Sequence, residues 1–318
     1  MSAHHCPLNR QMITFAAEKT TIMWLLFALL SSALLGCYDI LKKASLRGNA
    51  FIPVLFVATG TGALLFTVVL LLSRWGAVEP GTLFYVPEIT AHEHLLYFIK
   101  AMIVGSSWIF AYKALSQLPI TIVAPIRSTG PVWTVAGALF IYGERFNGWQ
   151  WLGFVVVIFS SYLFAKAGKK EGINFKSNHA IWAIVTATLL GSISSLFDKY
   201  LLAHYDRMAV QTWYSIYMGV FMLIPLMFWL PKRSVPPTFN WRIIIPMIGI
   251  TLSVADFMYF YALSRPEALL GVVSVIRRSS VVLAFLLGAA IFHEHNLKSK
   301  GIALAGIIIG VCVLVLGS

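Results

Sequence analysis

Ten long apolar stretches make up most of this chain and restrict its fold more than any other feature. A helix of about 20 predominantly apolar residues crosses the hydrocarbon core of a bilayer. The segments between the stretches are short, so little of the chain remains for a soluble domain. We therefore predict an all-α integral membrane protein with ten transmembrane helices, at residues 22–41, 51–73, 95–115, 119–142, 149–166, 180–202, 209–230, 242–263, 267–291 and 300–316.

Composition supports the membrane interpretation. Hydrophobic residues make up 59% of the chain and charged residues 11%, whereas a soluble domain is about 45–50% apolar and about 25% charged. The formal net charge of +12 would suggest nucleic-acid binding in a soluble protein. In a chain this apolar, most of the cations lie near span ends, where they contact headgroups. We therefore expect a lipid bilayer, and no nucleic acid, as a partner.

Motifs for enzymatic chemistry are missing from the sequence. Cys6, Cys37 and Cys312 are far apart, and no Cys/His spacing typical of a zinc site occurs. His293 and His295 stand two residues apart and would not share a helix face. The sequence also lacks a nucleophile–base pair, a phosphate-binding loop and a nucleotide fingerprint. We therefore predict that the protein is not an enzyme and uses no metal and no cofactor.

An internal repeat runs through the ten predicted spans. The tripeptide Ala-Leu-Ser ends both the third and the eighth span, at an offset of 148 residues. Arg127 and Arg277 both follow an isoleucine and lie 150 residues apart, and Glu144 and Glu294 keep the same offset. Three ordered matches at a nearly constant offset indicate two halves of five spans each.

The repeat is predicted to be inverted. Because five is an odd number, the second half must enter the membrane from the opposite side. Inverted repeats are a recurring transporter architecture, with the substrate near the midplane between the halves. We predict an N-terminal tail at 1–20, a first five-helix repeat at 21–166, a linker at 167–178 and a second five-helix repeat at 179–318.

Three arginines lie deep inside predicted spans. Arg127 is about 12 Å along the fourth span, and Arg277 and Arg278 are about 15 Å along the ninth, given a rise of about 1.5 Å per residue. A central arginine costs at least about 2.5–3.5 kcal/mol on insertion scales, so these side chains are expected to face a wet cavity or an anion. Lys100, nearer a span end, can reach the interface by snorkelling.

Few carboxylates are available to neutralise these arginines. Asp256 is the only clearly deep one, so the deep groups carry a surplus of two positive charges. One interpretation pairs Arg127 or Arg278 with Asp256 and leaves the rest to backbone carbonyls. The alternative is a mobile anion such as a phosphate monoester, which carries a charge of about −1.5 to −2 near neutral pH. Guanidinium groups match the oxygens of such an anion bidentately.

Other polar and aromatic residues are candidates for the same cavity. Tyr259 lies three residues after Asp256 and therefore shares its helix face. Trp108 and Tyr112 stand one turn apart on the third span, and Ser274 is close to the arginines of the ninth. Packing between helices, or for the serine a bond to its own helix carbonyls, is the alternative role for each. These residues complete the predicted substrate site.

The pattern resembles the drug/metabolite transporter superfamily, of the EamA-like type. The resemblance rests on the ten spans, the inverted halves, the Ala-Leu-Ser helix ends and Gly143-Glu144 after the fourth span, and it covers about residues 22–316. It implies a transporter fold. It leaves the substrate open, because the superfamily moves amino acids, drugs, nucleotide sugars and organic phosphates.

A narrower resemblance concerns the arginines. Plastid triose-phosphate/phosphate translocators carry a lysine four residues before a proline in the fourth span and a Lys-Arg pair in the ninth, and these cations bind phosphate. Here Arg127 precedes Pro131 by four residues, and Arg277-Arg278 replaces the Lys-Arg pair. The resemblance implies that the three arginines form an anion clamp.

We therefore predict a secondary transporter that moves a small organic anion, phosphorylated and exchanged for phosphate, by alternating access. The expected location is the inner (plasma) membrane of a bacterium. Alternatives are an exporter of amino acids or drug-like metabolites, a flippase for a phosphorylated lipid, and a membrane enzyme or sensor that binds a lipid phosphate. Gly306 and Gly310 permit close helix contact within one chain or between two, so a monomer and a homodimer are both open.

Overall fold

A computed structural model describes residues 7–117, 126–127, 129–166, 179–232, 238–292 and 297–317. Within these ranges the chain forms α-helices and no strand. The helices are α1 (Pro7–Leu46), α2 (Phe51–Arg74), α3 (Ala91–Gln117), α4 (Gly130–Ile141), α5 (Gly148–Lys166), α6 (His179–His204), α7 (Arg207–Phe221), α8 (Leu223–Trp229), α9 (Ile244–Leu263), α10 (Leu270–Arg278), α11 (Ser280–Phe292) and α12 (Leu297–Leu316), with a 3-10 turn at Leu230–Lys232.

The predicted all-α membrane fold is confirmed. Among the described residues, six helical segments are long and apolar enough to cross a membrane. Three shorter apolar helices coincide with parts of the predicted fourth, fifth and tenth spans. The long segments are Met23–Leu46, Phe51–Arg74, Ala91–Ala114, His179–His204, Arg207–Trp229 and Ile244–Leu263.

Two predicted elements differ from the observed ones. Helix α1 begins at Pro7, so residues 7–20 of the predicted tail continue the first transmembrane helix. The predicted ninth span is not one helix, because α10 ends at Arg278 and α11 begins at Ser280. Apolar periodicity does not reveal such a break, since both helices are largely apolar and only one residue separates them in the sequence. The pair His293 and His295 lies outside the described residues.

Helices of the two halves pack in a pattern that is unchanged when the halves are exchanged. Helix α1 packs against α9, and its counterpart α6 packs against α3. The contact of α2 with α9 likewise corresponds to the contact of α7 with α3. Helices α2 and α7 pack against each other, as do α5 and α12, so each of these contacts its own counterpart. This is the arrangement that a pseudo-two-fold axis in the membrane plane produces.

Two buried hydrogen bonds join the halves at equivalent pairs of helices. The hydroxyl of Ser31 on α1 donates to the carbonyl oxygen of Ala255 on α9 over 2.8 Å. The hydroxyl of Ser107 on α3 donates to the carbonyl oxygen of Ala187 on α6, also over 2.8 Å. Ser31 and Ala187 are 156 residues apart, whereas Ser107 and Ala255 are 148 apart. The offset of 148 is also that of the Ala-Leu-Ser tripeptides near the ends of α3 and α9, so Ser107 and Ala255 are equivalent positions, with the roles of side chain and backbone exchanged between the two bonds.

Glycines permit close contact between the halves where α5 meets α12. A Cβ atom added to Gly310 would lie 2.7 Å from Val157 Cγ2 and 3.0 Å from the carbonyl oxygen of Gly153. A Cβ atom on Gly306 would lie 2.3 Å from the hydroxyl oxygen of Ser160. The small residues that the sequence pattern singled out therefore pack inside one chain.

Gly310→Ala is expected to lower the free energy of unfolding by about 1–3 kcal/mol, because the new methyl group has to displace the backbone of α5. Gly60→Ala is the matched control, since a Cβ atom there meets nothing within 4 Å. Thermal unfolding in detergent measures both variants. Equal midpoints for the two would contradict the close packing of α5 and α12.

Candidate functional site

The deep arginines lie at helix breaks in both halves. The backbone N–H of Thr129 donates to the carbonyl oxygen of Ile126 over 3.1 Å, and that of Ser279 donates to Ile276 over 2.9 Å. The hydroxyl groups of Thr129 and Ser279 donate to the same two oxygens, over 2.7 Å and 2.8 Å. Each of these pairs is 150 residues apart. Arg127 therefore stands at the same point of its span as its predicted counterpart in the ninth. Interrupted helices of this kind form the substrate sites of many transporters.

Helix α10, which carries Arg277 and Arg278, is held at its beginning by Glu144. The carboxylate oxygens of Glu144 accept hydrogen bonds from the backbone N–H groups of Leu270 and Gly271, over 2.6 Å and 3.0 Å. Glu144 is buried at 9% exposure. A carboxylate at a helix N-terminus satisfies free N–H groups and interacts favourably with the helix dipole. The acidic residue of the Gly143-Glu144 motif thus orients the arginine-bearing helix from the opposite half.

Arg277 is neutralised inside the second half. Its Nη2 atom lies 3.1 Å from Oδ1 of Asp256. Its guanidinium carbon lies 3.9 Å from the ring centroid of Tyr259, close enough for a cation–π interaction. Tyr259 is buried at 2% exposure. Asp256 and Tyr259, which the sequence predicted as substrate contacts, therefore interact with Arg277. Ser274 is half-buried on α10, one turn before Arg277.

Arg127 and Arg278 lack such a counter-charge. They interact electrostatically with each other, and each interacts with Asp39. Among the described residues, neither arginine forms an ion pair, and the Nε atom of Arg278 is buried without a hydrogen-bond partner. Asp39 itself is paired with Lys42, whose Nζ atom lies 2.8 Å from its Oδ1 atom. These four groups together carry two net positive charges. The predicted surplus, which counted Arg277 and Asp256 instead of Lys42 and Asp39, stays a prediction.

Aromatic residues stand beside this positive group. Trp108, Tyr112 and Tyr38 line a mostly aliphatic pocket between α1, α2, α3 and α9. Both tyrosines interact electrostatically with Arg127. The ring of Tyr112 stacks on that of Phe51, with a distance of 5.6 Å between centroids. Trp108 and Tyr112, predicted from the sequence as cavity residues, therefore lie in the same region as Arg127.

Lys100 does not reach the interface, contrary to the expectation from its position. It is 2% exposed and pairs with Asp198, which is 5% exposed. Its ammonium group also lies 4.3 Å from the ring centroid of Tyr214 and 4.9 Å from that of Phe260. The snorkelling prediction is wrong because α3 turns Lys100 toward the second half, where a carboxylate and two aromatic faces receive it. Asp256 is therefore not the only deep carboxylate.

The charged groups occupy two levels along α3. Lys100 is nearer the beginning of α3, whereas Trp108 and Tyr112 follow it by two and three helical turns, or about 12 and 18 Å. The Lys100–Asp198 ion pair is buried between the two halves. At the level where α1 and α3 end, Arg127 is exposed and the side chain of Asp39 is 43% exposed. We call this exposed end of the bundle the open end.

Sequence reasoning missed Asp39, Asp198 and the role of Glu144. Asp39 and Asp198 lie near span ends, where a charge normally faces water. Their inward orientation depends on helix rotation, which the sequence pattern does not specify. For Glu144 a signal existed, since it lies at the repeat offset from Glu294. That counterpart lies outside the described residues.

The family of this chain follows from comparison with known sequences. The model of the EamA-like transporter family matches residues 22–166 and again residues 178–316. The chain belongs to the EamA-like transporter family. The twofold match agrees with the two halves and with the pseudo-two-fold packing of their helices. The protein is thus a multi-pass membrane protein of a transporter family, within the drug/metabolite transporter superfamily.

A solved structure shares the fold. One crystal structure of a protein superposes with a TM-score of 0.70 at 16% sequence identity, and the alignment covers 94% of this chain and 99% of that chain. This likeness concerns the fold alone. No curated protein sequence matches the chain.

Lys100→Met is expected to lower the free energy of unfolding by about 3–5 kcal/mol, because it leaves the Asp198 carboxylate buried without its partner. The double variant Lys100→Met/Asp198→Leu is expected to recover most of that loss, since it removes both charges. Thermal unfolding of the two single variants, the double variant and the unchanged protein measures the coupling between the residues.

Lys42→Met is the matched control for this ion pair. Its partner Asp39 remains half-exposed to water, so the expected loss is below about 1 kcal/mol. Equal losses for Lys42→Met and Lys100→Met would show that burial of the Lys100–Asp198 pair has no energetic consequence.

Proposed function

We propose that this EamA-like protein is a secondary transporter of a small organic anion, with Arg127 and Arg278 as the residues that bind the charged group. The observation that carries the proposal is the difference between the cations that lie within the predicted spans. Lys100 and Arg277 each have a carboxylate partner, whereas Arg127 and Arg278 form no ion pair among the described residues. A bound anion would neutralise the two remaining charges.

A phosphorylated metabolite fits this charge best. A phosphate monoester carries about −1.5 to −2 near neutral pH, which matches a surplus of two. Two guanidinium groups supply several N–H donors in planar arrays that suit phosphate oxygens. The resemblance of Arg127-to-Pro131 and Arg277-Arg278 to the triose-phosphate/phosphate translocators supports the same class of ligand. Within this proposal Arg277 keeps its partner Asp256, so the clamp consists of two arginines.

Alternating access gives the buried ion pair a role in the cycle. Lys100 lies in the first half and Asp198 in the second. A rocking motion that opens the bundle at the level of Lys100 therefore has to separate these two residues. Neutralisation of the open end by substrate would favour that motion, because the empty site holds two like charges. This mechanism favours exchange of one anion for another over one-way release.

Transport is tested with purified protein in liposomes loaded with inorganic phosphate. We expect uptake of labelled phosphate that depends on the internal phosphate. Arg127→Gln and Arg278→Gln are each expected to slow uptake at least about tenfold, since a hydrogen bond to a charged group contributes about 1.5–3 kcal/mol. Arg74→Gln is the control, because Arg74 is paired with the exposed Glu88 at the bundle surface.

Three results would overturn the proposal. Full uptake by both arginine variants would exclude the clamp. Thermal stabilisation of the protein by amines, and by neither phosphates nor carboxylates, would exclude an anionic substrate. Stabilisation by phospholipid, together with absent uptake of water-soluble phosphates, would favour the lipid flippase.

A further inference from the structure

The pseudo-two-fold symmetry gives every residue of α3 a counterpart in α9. Ser107 is equivalent to Ala255, because the two residues are 148 apart, the same offset as the Ala-Leu-Ser tripeptides near the ends of α3 and α9. The next residue in each helix is Trp108 in α3 and Asp256 in α9. An aromatic residue therefore occupies, in the first half, the position that holds the buried carboxylate in the second.

The arginines are related by the same symmetry. Arg127 is the counterpart of Arg277, since the helix breaks beside them share the hydrogen bonds described above. In the second half, Arg277 lies 3.1 Å from the carboxylate of Asp256. In the first half, the position equivalent to that carboxylate is an indole. Trp108 and Tyr112, one turn apart on α3, line the same pocket, and Tyr112 interacts electrostatically with Arg127.

We propose that Trp108 determines the charge selectivity of the site, because it replaces the carboxylate that would otherwise neutralise Arg127. The two halves have the same backbone arrangement, yet one arginine is paired internally and the other is available to a ligand. Asp256 neutralises Arg277 in the second half. This inference rests on the proposed function, in which Arg127 binds the anionic group.

The direct test is the substitution Trp108→Asp, which gives the first half the charge pattern of the second. We expect it to weaken the binding of inorganic phosphate at least about tenfold, because a carboxylate beside Arg127 competes with the ligand. Trp108→Asn is the matched control, since it removes the same indole and has nearly the same shape as aspartate without its charge. Titration calorimetry and thermal shift with inorganic phosphate measure both variants in detergent.

A rescue variant tests the symmetry itself. In the double variant Trp108→Asp/Asp256→Asn, Arg127 gains a carboxylate partner and Arg277 loses its own. We therefore expect Arg277 to bind phosphate in place of Arg127, so that phosphate binding returns. That restored binding should be lost when Arg277→Gln is added, whereas binding by the unchanged protein should be lost with Arg127→Gln. If Trp108 had only a structural role, phosphate binding would not change from dependence on Arg127 to dependence on Arg277.

The outcomes separate the two proposals. If the unchanged protein binds neither phosphate nor succinate, the proposed function fails. If it binds phosphate and Trp108→Asp binds it as well as Trp108→Asn does, the selectivity role of Trp108 is wrong while the function stands. If Trp108→Asp does not fold, the single variant Asp256→Asn tests the selectivity role of Trp108 instead. Freeing Arg277 is expected to raise phosphate affinity or add a second bound phosphate, and unchanged binding would overturn the inference.

Discussion

A charge inside an apolar helix bundle needs a compensating charge or water, and this requirement organises the polar interior of the protein. Lys100 meets it with Asp198, and Arg277 meets it with Asp256. Both pairs take their cations out of competition for a ligand. The placement of carboxylates therefore determines which cations are neutralised within the protein. In the part of the chain that the structure describes, Arg127 and Arg278 form no ion pair.

The fold holds these charges by a few local devices. Helix breaks in the fourth and ninth spans place arginines at interrupted segments, and hydroxyl groups satisfy the carbonyl oxygens that precede the breaks. The carboxylate of Glu144 caps α10 and so links the end of one half to the arginines of the other. Close glycine contacts between α5 and α12 join the halves away from the site. These contacts involve backbone groups, so they constrain position more strongly than exposed side chains would.

Duplication supplied two equivalent frameworks, and single residues have made them different. The packing of α1 on α9 and of α6 on α3 keeps the symmetry, while Trp108 and Asp256 break it at equivalent positions. Lys100 breaks it again, since it places a cation of one half against a carboxylate of the other. The result is an asymmetric charge pattern on a symmetric backbone.

The sequence by itself determined the class of fold, the repeat and the three arginines, because apolar length, a constant offset and charge inside a span are one-dimensional signals. It also indicated a surplus of two positive charges. Only the tertiary structure decided which of the three arginines is paired with a carboxylate. Pairing depends on helix rotation and on breaks such as that at Ser279, and neither changes the apolar pattern. For the same reason the sequence predicted that Lys100 reaches the membrane interface, whereas packing between the halves buries it against Asp198.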